Sequence, residues 1–243
     1  MSFIELEHVS KSYGYFEALS DVSMAVDSGQ VVCVLGDNGA GKSTLIKILA
    51  GVHKPTSGTL LIDGSPTVFN SPREAHEAGI STVYQNLAIV DQMSVWRNFF
   101  LGQELTGSGL SRGFLRAGEM RSIAAAALES MGVTVRSVDV DVEKLSGGQR
   151  QSIAIARAVH FGARVLILDE PTAALGVKQS QAVLDIVREA RSRGLAVILI
   201  THNPAHAYAV GDQFVLLSLG QVARQVGHDE ISLEELTAHM AGL

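Results

Sequence analysis

The chain has 243 residues, 47% of them hydrophobic, and carries 25 acidic against 19 basic side chains. A hydrophobic share of that size over that length supports one large core, with or without a subdomain, and argues against disorder. The acidic balance and the lack of a polybasic tail argue against nucleic acid as a partner, since phosphate binding rewards clustered Lys and Arg.

The N-terminus, Met1-Ser2-Phe3-Ile4-Glu5, has neither a basic start nor an apolar signal core. The longest apolar runs, such as Leu195 to Ile200, fall well short of the about 20 residues that cross a bilayer. A cytoplasmic protein is therefore expected. Ile4 and Leu6 alternate with Glu5 and Glu7 at strand period, and a second short strand reads Val22 to Val26. Thr59-Leu60-Leu61-Ile62 runs into Asp63-Gly64, a pair that supplies the positive φ angles of a hairpin turn. These pieces predict a small antiparallel layer.

Elsewhere strands alternate with helices, which predicts a parallel sheet with helical crossovers. The strands are Val31 to Leu35, Ile80 to Tyr84, Val165 to Leu168 and Leu195 to Ile200, continuous apolar runs suited to burial on both faces. Cys33 lies inside the first of them, a position of inert packing, and a lone cysteine forms no disulfide within the chain. A helix is expected from about Val177 to Arg193, burying Val183, Ile186, Val187 and Ala190 and stopping at Gly194. Between these segments, Gly102, Gly107, Gly109, Gly113 and Gly118 punctuate an open stretch that also holds Arg112 and Arg116. Met120, Ile123, Ala124, Ala127, Leu128 and Met131 then repeat at helical spacing up to Gly132, a core-packing stripe. Residues 86–161 are read as a helical subdomain inserted into an α/β core formed by 1–85 and 162–243. Ser232-Leu233-Glu234-Glu235 is a capping box that opens a last short helix.

Three motifs carry chemistry. Gly36-Asp37-Asn38-Gly39-Ala40-Gly41-Lys42-Ser43, followed by Thr44, fits G-x-x-x-x-G-K-[ST] between a strand and a helix, the Walker A context. Its glycines let backbone N–H groups curl around a phosphate, the helix N-terminus adds partial positive charge, Lys42 reaches the β- and γ-phosphates, and Ser43 offers a hydroxyl to Mg²⁺. Asp169 and Glu170 end the apolar strand Val165-Leu166-Ile167-Leu168. Given the upstream loop, Asp169 reads as the Walker B residue that holds Mg²⁺, and Glu170 as the general base that polarises water.

His202 ends another apolar strand and is placed to sense the γ-phosphate. Its spacing of four from His206 also matches zinc sites, but Asn203 stands where a metalloprotease needs a glutamate, and Pro204 opposes a continuous helix. Gln85 follows a strand at the junction of core and insertion, either a surface amide or a hinge that touches Mg²⁺ or water.

The third motif, Leu145-Ser146-Gly147-Gly148-Gln149-Arg150, is similar to the signature of the ABC ATPases. Ser146 caps a helix running to about His160, and the two glycines expose N–H groups at its positive end. The resemblance covers nearly the whole chain. It implies an F1-like P-loop α/β core with an antiparallel β subdomain and a helical subdomain. It also implies Tyr13 stacking on adenine, Gln85 as the Q-loop, and His202 as the switch histidine. Two copies would pack head to tail, with Ser146, Gly147, Gly148 and Gln149 of one closing on the ATP of the other.

After Pro171-Thr172-Ala173-Ala174-Leu175 the family usually has an aspartate, and here Gly176 stands, a departure that touches cross-talk between the two sites. Glu170 to Gln179 and Thr201-His202-Asn203 resemble monosaccharide importers of the fructose and ribose class, in which that glycine is familiar. The implied partners are a second copy, transmembrane permease subunits and, through them, a sugar-binding protein, at the cytoplasmic face of the inner membrane. Val95, Trp96 and Arg97, beside Gln85, either line the cleft that receives the permease or form local core. An exporter motor, or a non-transport ABC ATPase of DNA repair or translation, is the alternative.

Overall fold

The computed structural model describes residues 2–107 and 113–242, so Met1 and, from the open stretch, Gly109 and Arg112 lie outside the described residues. Strands β1 (Ser2–Tyr13) and β2 (Phe16–Asp27) form a long hairpin. They join β4 (Ser57–Ile62) and β5 (Ser65–Thr67) in an antiparallel sheet of order β2-β1-β4-β5. Asp63 and Gly64 form the β4–β5 turn with φ of 49° and 72°, as the dipeptide predicts. β1 runs well past the alternating stretch because it is bulged. His8 has φ 52°, its N–H donates to Ser23 Oγ, and the register shifts between Leu6 and Val9. The bulge resets the pleat, which hides the rest of the strand from a period-two reading.

The second sheet has the order β10-β9-β3-β8-β7-β6. Its strands β3 (Val31–Leu35), β6 (Ile80–Val83), β7 (Val165–Asp169) and β8 (Ala196–Thr201) coincide within a residue with the four apolar runs, and all are parallel. β9 (Gln213–Ser218) continues the parallel set beside β3, and β10 (Gln221–Gly227) returns antiparallel as an edge.

Alternate residues of the central strands serve two cores. Cys33, Leu166, Leu168, Val197, Leu199 and Leu216 face α3 (Val95–Phe99), α4 (Ala117–Ser130), α5 (Gly147–His160), α6 (Val177–Ser192) and α7 (Pro204–Val210). Val32, Val34, Val165, Ile167, Ile198, Ile200 and Val215 face the antiparallel sheet and α1 (Lys42–Leu49). Burial on both faces is why these strands lack polar alternation. Two further helices, α2 (Pro72–Glu77) and α8 (Leu233–Ala241), lie outside the central run, and α8 opens on the Ser232/Glu235 box. No helix among the described residues is long and apolar enough to cross a membrane.

Candidate nucleotide site

Because β3, β8, β7 and β6 are parallel neighbours, their C-terminal ends share one edge of the sheet, where ligands of open α/β sheets bind. The Walker A loop leaves β3 there, Asp169 and Glu170 end and follow β7, Thr201 and His202 end and follow β8, and Gln85 lies two residues past β6. Sequence separations of over 150 residues between Lys42 and His202 collapse into one cluster.

Within the loop, Gly41 is the N-cap of α1 with φ 106°, and an added Cβ would sit 2.8 Å from the Ala18 carbonyl oxygen and 2.7 Å from Leu19 Cδ2. Neither that φ nor that contact suits any side chain. No side chain caps α1, so its first N–H groups are left for an anion. Asp37, Asn38 and Gly39 are exposed at the loop's tip, Ala40 is buried beneath it, Ser43 is exposed and Thr44 half-buried. Lys42 Nζ donates to the Gly36 and Asp37 carbonyl oxygens, the latter at 2.8 Å. Burial holds the Lys42 ammonium below its ordinary range, opposed by the charges of Glu170, Asp37 and Asp169. Burial in turn raises the Asp169 carboxyl, Glu170 adds to that, and Lys42 opposes it. These couplings are the electrostatic signature of a site assembled from separate strand ends.

Glu170 is held closely. Its side chain is 14% exposed, and Oε1 lies 2.8 Å from Nδ1 of His202, which is 65% exposed at the rim. Thr201 Oγ1 donates to Oε2 at 3.4 Å. The Glu170 N–H donates to the Ile200 carbonyl at 2.9 Å, and its φ of 50° is left-handed, an uncommon conformation for a residue with a side chain. Tyr84 and Gln85, which follow β6, are exposed, and the Tyr84 hydroxyl is pushed up by burial and by the Asp169 charge.

Tyr13 is 42% exposed at the β1–β2 turn, its edge against His53 with ring centroids 5.5 Å apart and Lys11 Nζ 5.3 Å over its ring.

The signature stands elsewhere. Ser146 and Gln149 form a reciprocal capping box, Gln149 N–H to Ser146 Oγ at 3.3 Å and Ser146 N–H to Gln149 Oε1 at 3.1 Å. Gln149 Nε2 donates to the Thr134 carbonyl, so this amide is spent on its own chain. Gly148 is buried, with Gln179 Cβ 2.9 Å from where its Cβ would be, and it lets α5 and α6 meet. Gly147 is exposed and Ser146 half-exposed, and these two present the helix end outward. Arg150 ties the motif to its surroundings through Asp91 Oδ1 and the Glu143 and Leu145 carbonyls. Gly176, the departure from the family pattern, has φ −71° and open space at its Cβ position, so nothing in the backbone demands glycine there.

Val95 and Trp96 are buried, and Trp96 Nε1 donates to Asp139 Oδ1 at 3.1 Å, with the guanidinium groups of Arg97 and Arg121 over its ring. The local-core reading holds for Trp96. The cleft beside Gln85 is a cavity of about 440 Å³ lined instead by Tyr84, Leu87, Leu101, Gln103, Arg157 and Phe161 among others. Nothing in its sequence neighbourhood singles out Arg157, which lines that cleft and donates to the Leu101 carbonyl.

The donor set fits a hard divalent cation that takes most of its ligands from water and phosphate: one carboxylate (Asp169), one hydroxyl (Ser43) and one amide (Gln85). Among the described residues no group of three His, Cys, Asp or Glu side chains is placed to hold a metal ion, and the Nδ1 atoms of His202 and His206 are engaged by Glu170 and Thr172.

The ABC transporter family model matches residues 19–173. The chain is 42% identical to the xylose/arabinose import ATP-binding protein of Sulfolobus acidocaldarius, over 98% of this chain and 93% of that protein. It is 41% identical to the fructose import ATP-binding protein of Rhizobium meliloti, over 96% and 91%. Among solved structures, an ATP-binding cassette of an ABC transporter in its ADP conformation superposes with a TM-score of 0.85 at 25% identity, covering 99% of this chain and 95% of that one. A dimeric cassette in a post-hydrolysis state with ADP and Pi superposes with a TM-score of 0.76 at 26% identity, covering 93% and 98%.

Proposed function

The chain belongs to the ABC transporter family, and from that premise we propose that it is the ATP-hydrolysing motor of an importer for a monosaccharide. The observation that carries the motor reading is the Glu170 carboxylate, fixed by His202 at 2.8 Å and sharing its field with Lys42 and Asp169. The sugar reading is supported by its two relatives named for xylose/arabinose and fructose import.

In this reading the Walker A backbone from Gly36 to Thr44 cradles the phosphates, and Lys42 carries part of the charge that develops on the γ-phosphoryl group. Ser43, Asp169 and Gln85 hold Mg²⁺, which when bound neutralises phosphate charge. Glu170 accepts a proton from the attacking water while His202 keeps its carboxylate oriented. Tyr13 stacks on the adenine. A second copy supplies Ser146 and Gly147 across the interface, where the helix end complements the γ-phosphate. Residues 86–161 act as the unit that swings this signature toward the partner and passes the motion to a permease segment seated in the cleft between Tyr84 and Arg157. The complex works at the cytoplasmic face of the inner membrane, with a sugar-binding protein delivering the ligand to the permease.

The test is affinity capture of the Glu170→Gln variant from its native membranes with MgATP. The expected result is a multi-span permease with a sugar-binding protein alongside. Recovery of ribosomes or DNA-associated proteins, with no membrane subunit, would contradict the importer and leave only the ATPase.

A further inference from the structure

His206 stands outside the machinery just described, yet hydrogen bonds link it to Glu170 by way of Asn203 and Thr201, and to Thr172 on the same turn as Glu170. It lies in the first turn of α7, four residues after His202. Its Nδ1 is 2.8 Å from Oγ1 of Thr172, and Thr172 is only 7% exposed, so the bond is shielded from water. Thr172 belongs to the tight turn that leaves Glu170. In this turn Ala173 N–H donates to the Glu170 carbonyl at 3.1 Å, Leu175 N–H donates to the Thr172 carbonyl at 3.4 Å, and both Glu170 and Ala174 have left-handed φ, 50° and 58°. Two non-glycine residues in that region within five positions persist only where the surroundings over-determine them. The backbone bond to Ile200 and the side-chain bonds to His202 and Thr201 hold the near side of the turn. Thr172 to His206 holds the far side.

The same helix cap sets both histidines. Asn203 N–H donates to Thr201 Oγ1 at 3.1 Å, and Asn203 Oδ1 accepts from the N–H groups of Ala205 and His206 at 3.0 and 3.2 Å. Four hydrogen bonds therefore run from Glu170 through Thr201, Asn203 and His206 to Thr172, and the backbone from Glu170 to Thr172 closes the circuit. Burial favours neutral His206, Glu170 opposes that, and His202 reinforces it. A threonine hydroxyl donates or accepts, so the bond stands with the proton on either ring nitrogen. The turn then runs on to Leu175, whose Cδ2 lies 2.9 Å from where a Cβ on signature Gly147 would be.

We infer that His206 is a positioning residue for hydrolysis: by anchoring Thr172 it fixes the left-handed turn that aims the Glu170 carboxylate. The inference rests on the reading of Glu170 as general base. A displacement of the base by about 1 Å is enough to cost up to about 100-fold in rate while leaving nucleotide binding alone.

The test is steady-state ATP hydrolysis and nucleotide affinity for His206→Ala, His206→Asn, Thr172→Val and the His206→Ala/Thr172→Val double variant, with Glu170→Gln alongside. His206→Ala is expected to lower kcat by about 10- to 100-fold with the KM for ATP within about twofold of the parent. Asn, whose amide reaches the position of Nδ1, is expected to restore most of the rate. Thr172→Val should match His206→Ala, and the double variant should be no worse than either, as for two ends of one bond. If His206→Ala does not fold, the Thr172→Val and His206→Asn rates decide. A kcat within twofold of the parent in His206→Ala or Thr172→Val would overturn the inference, as would an additive double variant or a loss that Asn does not relieve. Rapid hydrolysis by Glu170→Gln would instead overturn the general-base reading itself, whatever His206 does.

Discussion

The two helix N-termini to which the proposed mechanism assigns the phosphates treat their own backbone donors in opposite ways. α1 begins at Gly41 in a left-handed conformation with no side chain over its end. α5 begins at Ser146 with a full capping box, its donors shared with Ser146 Oγ and Gln149 Oε1. An uncapped helix end leaves donors that an anion can take, which suits α1 to the phosphates the proposed mechanism places there. A capped end is complete alone. The signature can therefore stay folded on a single copy, and in the proposed mechanism it meets the partner's nucleotide through what the box leaves free, the Gly147 and Gly148 N–H groups and the outward face of Ser146. One half-site is poised for a ligand and the other for a partner.

The largest break in that comparison should come at α1. Lys42→Met is expected to lower hydrolysis by about 100- to 1,000-fold, the size of loss when one donor to a charge-developing transition state is removed. The apo protein should melt at the same or a higher temperature. The Lys42 pKa falls on folding because burial outweighs its carboxylate neighbours, so the folded state favours the charge less than the unfolded chain does. Removing the charge lifts that penalty at every pH below the unfolded lysine pKa. Thermal melts at pH 7 and nucleotide titration together check both halves, and a fall in melting temperature would mean that Lys42 braces the empty loop.

At α5 the expected effect is on stability. Gly148→Ala places a Cβ 2.9 Å from Gln179 Cβ on α6, an overpacked contact that costs about 1–3 kcal/mol in denaturant unfolding. ATP binding by the single copy should persist. The smallest effect is expected at Gly176→Asp. The backbone there accepts a side chain, and Asp for Gly at an N-cap stabilises by only a few tenths of a kcal/mol. A loss of more than about 1 kcal/mol would show that the glycine is structurally required.

What the sequence revealed divides along the same physical lines. The four central strands are buried on both faces, so Val31–Leu35, Ile80–Val83, Val165–Asp169 and Ala196–Thr201 stand out as unbroken apolar runs. Caps are local, which made Ser146 and Ser232 legible. The edge strand β10 is mostly exposed and has no alternation to read, and β9 went unread with it. Pro204 signalled a broken helix, correctly for His202, but it also starts α7 at the first helical position, the one place a helix welcomes proline. The contact of Thr172 with His206, 34 residues apart, leaves no trace in either neighbourhood. Spacing alone pointed His206 toward a metal, and only the fold pairs it with a hydroxyl. The lining of the cleft by Leu101 and Arg157 was hidden for the same reason, since it joins segments 56 residues apart.

If a site half-built on one copy is completed by the signature of another, ATP must drive two copies together. Sedimentation velocity of the Glu170→Gln variant, with and without MgATP and with or without Ser146→Arg, tests it most directly. The expected result is a monomer without nucleotide, a dimer with MgATP, and a monomer that still binds ATP when Ser146→Arg is added. A protein that stays monomeric with ATP bound, or a dimer indifferent to Ser146→Arg, would contradict it.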